Sequence, residues 1–444
     1  MSLVIISELL FFTIVILTTL VFKTYTYRNI IVILTGISLF IKMTYLYTNE
    51  YNLAGLYDID GHIGYIHYIT QNLSLPLPDD CSECHQQSIY YLAAAPVYAF
   101  SHSLGLTEVN IYRILQLFSL LIYSTFILMG IKIINYLFNS NPKALLATSL
   151  LLFWPSGFIH ASRIGNDIPL YLFSAWSLYY LLKYWQERKF SSLLISSFLA
   201  AISVITKTNG IVIVLTVLLC FLTMIYLKKI KLTPEQAIFQ LVIIGFIFFL
   251  AITFNQRYTF AGMKQDHWLV GKTIKTSQSY VSNKPINYLW LDLPAYFNYP
   301  NIAPWSDEGG RQYFWNYLLK TSLFGEFQIS QPLQKQLAAP ISLLLLGIIL
   351  SCVIYIIQLV KRRILTTFPL VTYSFLLLSS ILFYKINIPC SCNNDFRFIF
   401  PILIPLTIFA SAAVDFIPKI FYFRYFYLSS LILFLVLSSV FYLF

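Results

Sequence analysis

Runs of about 20 apolar residues, the length of helix that spans a hydrocarbon core of about 30 Å, recur from one end of this chain to the other. They lie near Leu3 to Phe22, Ile30 to Tyr47, Ile111 to Ile134, Ala144 to His160, Ile168 to Trp185, Ser191 to Thr206, Ile211 to Leu227, Ala237 to Phe254, Ala339 to Val360, Leu365 to Tyr384, Phe398 to Phe416 and Tyr425 to Leu443. In lipid every backbone polar group must find its partner within the protein, so only helices or a closed barrel can span, and the alternating segments of about ten residues that a barrel needs are missing. With 58% hydrophobic and only 11% charged residues, a soluble domain could not keep its apolar surface from water. The chain is therefore expected to be an all-α polytopic membrane protein of about 12 transmembrane helices. The first span has no positive residue before it and no small-residue cleavage site after it, so it is expected to stay as a membrane helix rather than leave as a signal peptide.

The formal net charge of +11 is concentrated in short connections, among them Lys228, Lys229 and Lys231, and Lys361, Arg362 and Arg363. These clusters occupy every second loop. Short basic loops stay cytoplasmic, which places both chain ends and two long hydrophilic segments on the opposite face and leaves no nucleic-acid footprint to explain. The expected division is two N-terminal helices over residues 1–47, an outer loop with amphipathic juxtamembrane helices over 48–110, a helix bundle over 111–254, a second outer loop over 255–338, and C-terminal helices over 339–444.

Scarce charge marks where chemistry would be placed, for the chain has only 18 acidic residues. Asp58 and Asp60 stand two apart beside His62 where the first loop leaves the membrane. Ile59, Ile63, Ile66 and Ile69 follow at helical spacing, with Asp58, His62 and Tyr65 on another side, so an amphipathic surface helix with its polar face outward is expected. The loop continues through His85, Gln86 and Tyr90 to an apolar stretch ending at Leu104, read as a surface or re-entrant helix rather than a further span. Arg163, Asn166, Asp167, Lys207 and Arg397 sit at helix ends on the same face. Single cations there often only snorkel to the interface. Three of them opposite a carboxylate loop form the set that holds a phosphate leaving group while a carboxylate takes a proton.

Cys81, Cys84, Cys390 and Cys392 fall in outer loops, where an oxidising face favours disulfides, and pairing across the two loops is expected. A metal on the two cysteine pairs, with His85 nearby, is the alternative. The string Cys81-Ser82-Glu83-Cys84-His85 fits a haem c attachment pattern, a match read as chance because no partner ligand accompanies it.

Taken together, the strings resemble the GT-C superfamily of polytopic glycosyltransferases, which includes protein O-mannosyltransferases and aminoarabinose transferases. The resemblance rests on the acidic-His start of the first loop, His85-Gln86 with Tyr90-Tyr91, Thr107 to Arg113, Arg163 with Asn166-Asp167, Thr206-Lys207 with Gly210, Tyr313 to Phe327, and Asp395-Phe396-Arg397 with Pro401 and Pro405. Two departures stand out: Gln87-Ser88 where members often carry Pro-Pro, and two helices rather than one before the acidic loop. The resemblance implies a polyprenyl- or dolichyl-phosphate sugar donor, an acceptor protein, glycan or lipid on the periplasmic, extracellular or lumenal side, and inversion at the anomeric carbon. Asp58, or Asp60 behind it, would be the general base beside His62. Arg163, Lys207 and Arg397 with Asn166 and Asp167 would hold the lipid phosphate, and His85, Gln86 and Tyr90 would meet substrate. The sequence requires no cofactor, though some members use a divalent metal. The competing readings are a transporter or lipid flippase, which would gather ionisable residues at the bilayer midplane, and a superfamily relative without catalysis.

Overall fold

A computed structural model describes residues 25–49, 59–77, 80–81, 83–138, 141–230, 233–261, 279–326, 329, 331–362, 365–416 and 421–443. Helices dominate it, and among these residues the only β pairing is an isolated bridge between Tyr280 and Cys390. Eight of the described helices are long and apolar enough to cross a membrane. The expected span from Leu3 to Phe22 lies outside the described residues; each of the others coincides with a helix, although two are interrupted.

The chain begins with α1 (Tyr25–Thr48), followed by two first-loop helices, α2 (Ile59–Asn72) and α3 (Ile89–Ser103). Next come α4 (Glu108–Leu137), α5 (Asn141–Leu152), the short α6 (Pro155–His160), α7 (Asp167–Glu187), α8 (Phe190–Thr206), α9 (Ile211–Tyr226) and α10 (Pro234–Ala261). The second loop contributes α11 (Ile286–Leu289), α12 (Leu293–Asn298) and α13 (Phe314–Phe324). The bundle closes with α14 (Pro332–Lys361), α15 (Phe368–Asn387), a 3₁₀ segment leading into α16 (Leu403–Ala413), and α17 (Phe421–Leu443).

The expected span from Ala144 to His160 is broken. Trp154 turns to extended backbone and Pro155, which has no N–H to give, starts a new helix. A broken helix leaves carbonyls without partners inside a bundle where water is scarce. Two residues of α1 answer this: Ser38 Oγ and Lys42 Nζ donate to the Leu152 carbonyl at 2.7 and 2.8 Å. The Lys42 ammonium also lies 4.7 Å from the centre of the Phe158 ring. An ionisable residue in the second span thus completes the fold. Between α7 and α8 small polar residues act as glue, Ser177 and Ser196 each donating its hydroxyl to the other's carbonyl at 2.8 and 2.9 Å.

The first loop departs from expectation in two ways. His62 and Tyr65 do not face outward: they are 4% and 0% exposed, because α2 packs along α3 and its aromatic side stacks on Tyr91, with Tyr65 and Tyr91 ring centres 3.9 Å apart. The two helices build a small core of their own that includes Ile63, Ile66, Ile69, Tyr91 and Ile164. The expected cross-loop disulfides are also corrected: Cys81 bonds Cys84 within one turn, while Cys390 and Cys392 stand with their sulfurs 3.0 Å from each other. At 15 residues α3 is shorter than the helix needed to cross a bilayer upright.

The second loop is organised by α13, the element formed by the Tyr313 to Phe327 string. Its Asn316 amide clamps both backbone groups of Asp292 at 2.8 and 2.9 Å, and Asp292 caps α12 by accepting from the Ala295 N–H at 3.0 Å. Lys320, 0% exposed, donates to the carbonyls of Ala295 and Gly309 at 2.9 and 2.8 Å and to that of Tyr299. An ammonium has three donors, and all three are used on separate stretches of loop. Burial presses this lysine from its ordinary 10.5 down to about 7, partly opposed by the charge of Asp292. Between pH 7 and 10.5 the unfolded chain therefore holds a proton the folded one has released, and stability rises with pH across that window as the cost of a buried charge is lifted, although the neutral amine keeps only two of its three donors. Lys320→Met is expected to leave three carbonyls unsatisfied and cost about 2 kcal/mol or more at neutral pH. Thermal unfolding in detergent from pH 7 to 9 should show both the loss and a flatter pH slope in the variant.

Candidate functional site

Three turns meet at the loop end of the bundle, each set by local chemistry. The first joins α6 to α7. Here Gly165 has φ +158°, and a side chain at this position would place its Cβ 3.2 Å from His62 Nε2, so glycine lets the first loop seat against the turn. Asp167 opens α7, where the helix dipole favours a carboxylate. Arg163, Asn166 and Asp167 are buried, at 6%, 1% and 5% exposure.

The second turn follows α8. Lys207 breaks into extended backbone, one 3₁₀ turn from Thr208 to Gly210 intervenes, and α9 begins. The fold-back is tight, for a Cβ at Gly210 would meet the Ser203 carbonyl carbon at 2.3 Å. This geometry sends the Lys207 ammonium to 2.5 Å from Asp167 Oδ1, an ion pair across 40 residues of chain.

The third turn precedes α16. Asp395 accepts from the Arg397 N–H at 3.0 Å and pairs with the Arg397 guanidinium at 3.2 Å, while Phe396 N–H donates to Thr321 Oγ1 of α13 at 2.9 Å. Phe398 joins the second and third turns: the Lys207 ammonium is 5.4 Å and the Arg397 guanidinium 5.0 Å from its ring centre. Tyr171 of α7 locks the assembly by donating to the Arg397 carbonyl at 2.8 Å, and it lies within electrostatic reach of Arg163, Asp167 and Asp395.

The first loop lies against these turns. His62 Nδ1 is hydrogen-bonded to Tyr91 Oη at 2.7 Å, and Gln87 Nε2 donates to Thr208 Oγ1 at 2.8 Å. Gln87, the residue where the superfamily pattern is departed from, is thus the direct tie from the first loop to the Lys207 turn.

The structure brings together His62, Arg163, Asn166, Asp167, Lys207 and Arg397. Asp60 is exposed in the first turn of α2, and Asp58, immediately before that helix, lies outside the described residues. Tyr90 is 1% exposed and bonded to Ser119 Oγ at 2.9 Å, so in this state it anchors α3. Gln86 is half-buried, accepts from Tyr91 Oη at 3.3 Å, and donates to Glu83; His85 is exposed. Among the described residues no group of three or more His, Cys, Asp or Glu side chains could hold a metal ion.

Sequence reasoning placed Asn166 at the site but passed over Phe398, Tyr171 and Asn394. Asn166 and Asn394, each adjacent in sequence to the acid of an acid–cation pair, have amide oxygen and nitrogen buried with no hydrogen-bond partner. Such atoms are costly unless something satisfies them. Only Phe398 carried a signal, as an aromatic residue directly after Arg397 in a polar turn.

Residues 94–256, less than half of the chain, match the family described as dolichyl-phosphate-mannose-protein mannosyltransferase. No curated protein matches the chain. The matched stretch carries Arg163, Asn166, Asp167 and Lys207 and stops short of Arg397 and of the first-loop acids. Together with the polytopic helical fold, the match supports membership of the GT-C superfamily of membrane glycosyltransferases.

Proposed function

We propose that this chain transfers a sugar from a polyprenyl- or dolichyl-phosphate donor to an acceptor on the non-cytoplasmic face, inverting the anomeric carbon. The observation that carries the reading is the pair of cations, Lys207 and Arg397, sharing the Phe398 ring beside the docked first loop. A lipid phosphate leaves already charged, so it needs positive charge rather than a general acid. Lys207 and Arg397 are held by carboxylates and an aromatic face in a nearly buried site, where a phosphate would compete for them with little water to displace. The unpartnered amides of Asn166 and Asn394 add hydrogen-bonding capacity beside each pair.

An apolar cavity of about 170 Å³ supports a lipid donor. It is bounded by Leu345, Ile349 and Ile356 of α14, Leu378 of α15, and Trp315 and Phe396, the last adjacent to Arg397. Isoprenoid chain is the part of the donor that suits such a wall. The acceptor hydroxyl would lose its proton to a first-loop carboxylate, Asp58 in the first instance and Asp60 behind it, with His62 fixing the start of α2 against the Gly165 turn. The alternation of basic loops supports the non-cytoplasmic face.

The reading is tested by incubating the purified protein with polyprenyl- and dolichyl-phosphate sugars and following release of the lipid phosphate. Asp58→Asn should fold normally and lose transfer by about 10²-fold or more; full activity would move the base to Asp60. Lys207→Gln should lower kcat/KM by about 10²-fold, with the loss diminishing as donor phosphate is replaced by a better leaving group. Protein that moves a solute across vesicles and never cleaves a lipid-phosphate sugar would end the enzyme reading.

A further inference from the structure

We propose that the second loop carries a separate saccharide-binding cleft, a place for one or two pyranose units of a glycan-bearing acceptor. The cleft encloses about 400 Å³ and is lined by Tyr299, Trp305, Asn298, Asn301, Glu308 and Lys335 among others. Tyr299 and Trp305 are 47% and 49% exposed in a concavity that also presents amides, a carboxylate and an ammonium. A sugar ring offers an apolar C–H face and a rim of hydroxyls that both donate and accept. Half-exposed aromatic residues suit the first, and amides with charged groups of both signs suit the second. Interfacial anchoring would explain aromatic residues on a convex apolar face, but not their gathering around a polar hollow.

The walls of the cleft are tied to the fold by hydrogen bonds of their own. Lys320 holds the carbonyls of Tyr299 and Gly309 from beneath, and the two walls approach so closely that a Cβ at Gly309 would fall 2.7 Å from the Asn301 carbonyl. The Asn301 side chain accepts from the Ile329 N–H at 2.8 Å, which fixes the far wall. Preorganised walls reduce the ordering cost that otherwise weakens binding of small polar ligands. The cleft is also tied to the candidate site: Ser391 Oγ donates to the Pro304 carbonyl at 2.6 Å, linking the wall beside Trp305 to the turn that carries Asp395 and Arg397. A glycan seated here would lie on the same rigid connection as the transfer site.

The word acceptor rests on the glycosyltransferase reading; the saccharide site does not. The full-length protein in nanodiscs, fluorescently labelled, is applied to an array of immobilised glycans, and the lipid-phosphate cleavage assay is run on the same preparations. Saturable capture of an array glycan by the wild type, reduced at least tenfold in Trp305→Ala and in Tyr299→Ala while donor cleavage without acceptor is retained, is the expected result. Lys335→Glu, a change at an exposed side chain, guards against misfolding of the aromatic variants and should alter which glycans are captured. Absence of glycan capture, or capture unchanged in all three variants, overturns the inference and leaves the function reading to the cleavage assay. Capture without cleavage of any lipid-phosphate sugar would instead sink the function reading and keep the cleft.

Discussion

An ion pair removed from water has to be answered by its own geometry, and the Asp167–Lys207 contact meets that demand by drawing separate helices together. It joins the start of α7 to the end of α8, two helices already bound by reciprocal serine hydrogen bonds. Because Lys207 must leave α8 as extended backbone to reach the carboxylate, the tight 3₁₀ turn after it and the glycine that permits it follow. Because the ammonium also faces the Phe398 ring, the turn before α16 is held to the same point. Three connections that a purely apolar bundle would leave to drift are gathered by one charge pair.

The same demand is met at two other buried places. Lys42 and Ser38 satisfy the carbonyl left by the break before Pro155, and Lys320 satisfies three carbonyls in a loop whose described residues form only short helices. Other buried polar atoms, His160 and several hydroxyls among them, also stay without a partner, and the amides of Asn166 and Asn394 are set apart by lying beside acid–cation pairs. Unmet amide capacity beside two acid–cation pairs is a physical pointer to a ligand there.

The spanning helices were legible because length and hydropathy are imposed by the bilayer itself. What α5 and α6 do was not, since the apolar run through Phe153 and Trp154 hides a break announced only by Pro155. The face presented by α2 was misread for a related reason. Helical spacing shows which residues share a side, but not whether that side meets water or the rings of α3, and His62 and Tyr65 met the rings. The site residues were legible as types at helix ends, whereas the pairing of Asp167 with Lys207, and the shared ring of Phe398, depend on contacts across tens to hundreds of residues that no periodicity records.

Lys320 has a consequence for how such a loop can change over time. Its nitrogen holds carbonyls, and a carbonyl is the same whatever side chain its residue bears. The path of the chain through Ala295, Tyr299 and Gly309 is therefore held in large part from one position of α13, and residues along that path other than Asp292, Asn301 and Gly309 are freed from specifying it through their side chains. Substitutions at the rim can accumulate and redraw the chemistry of the surface while the backbone stays in place, so that new partners are reachable without a new fold.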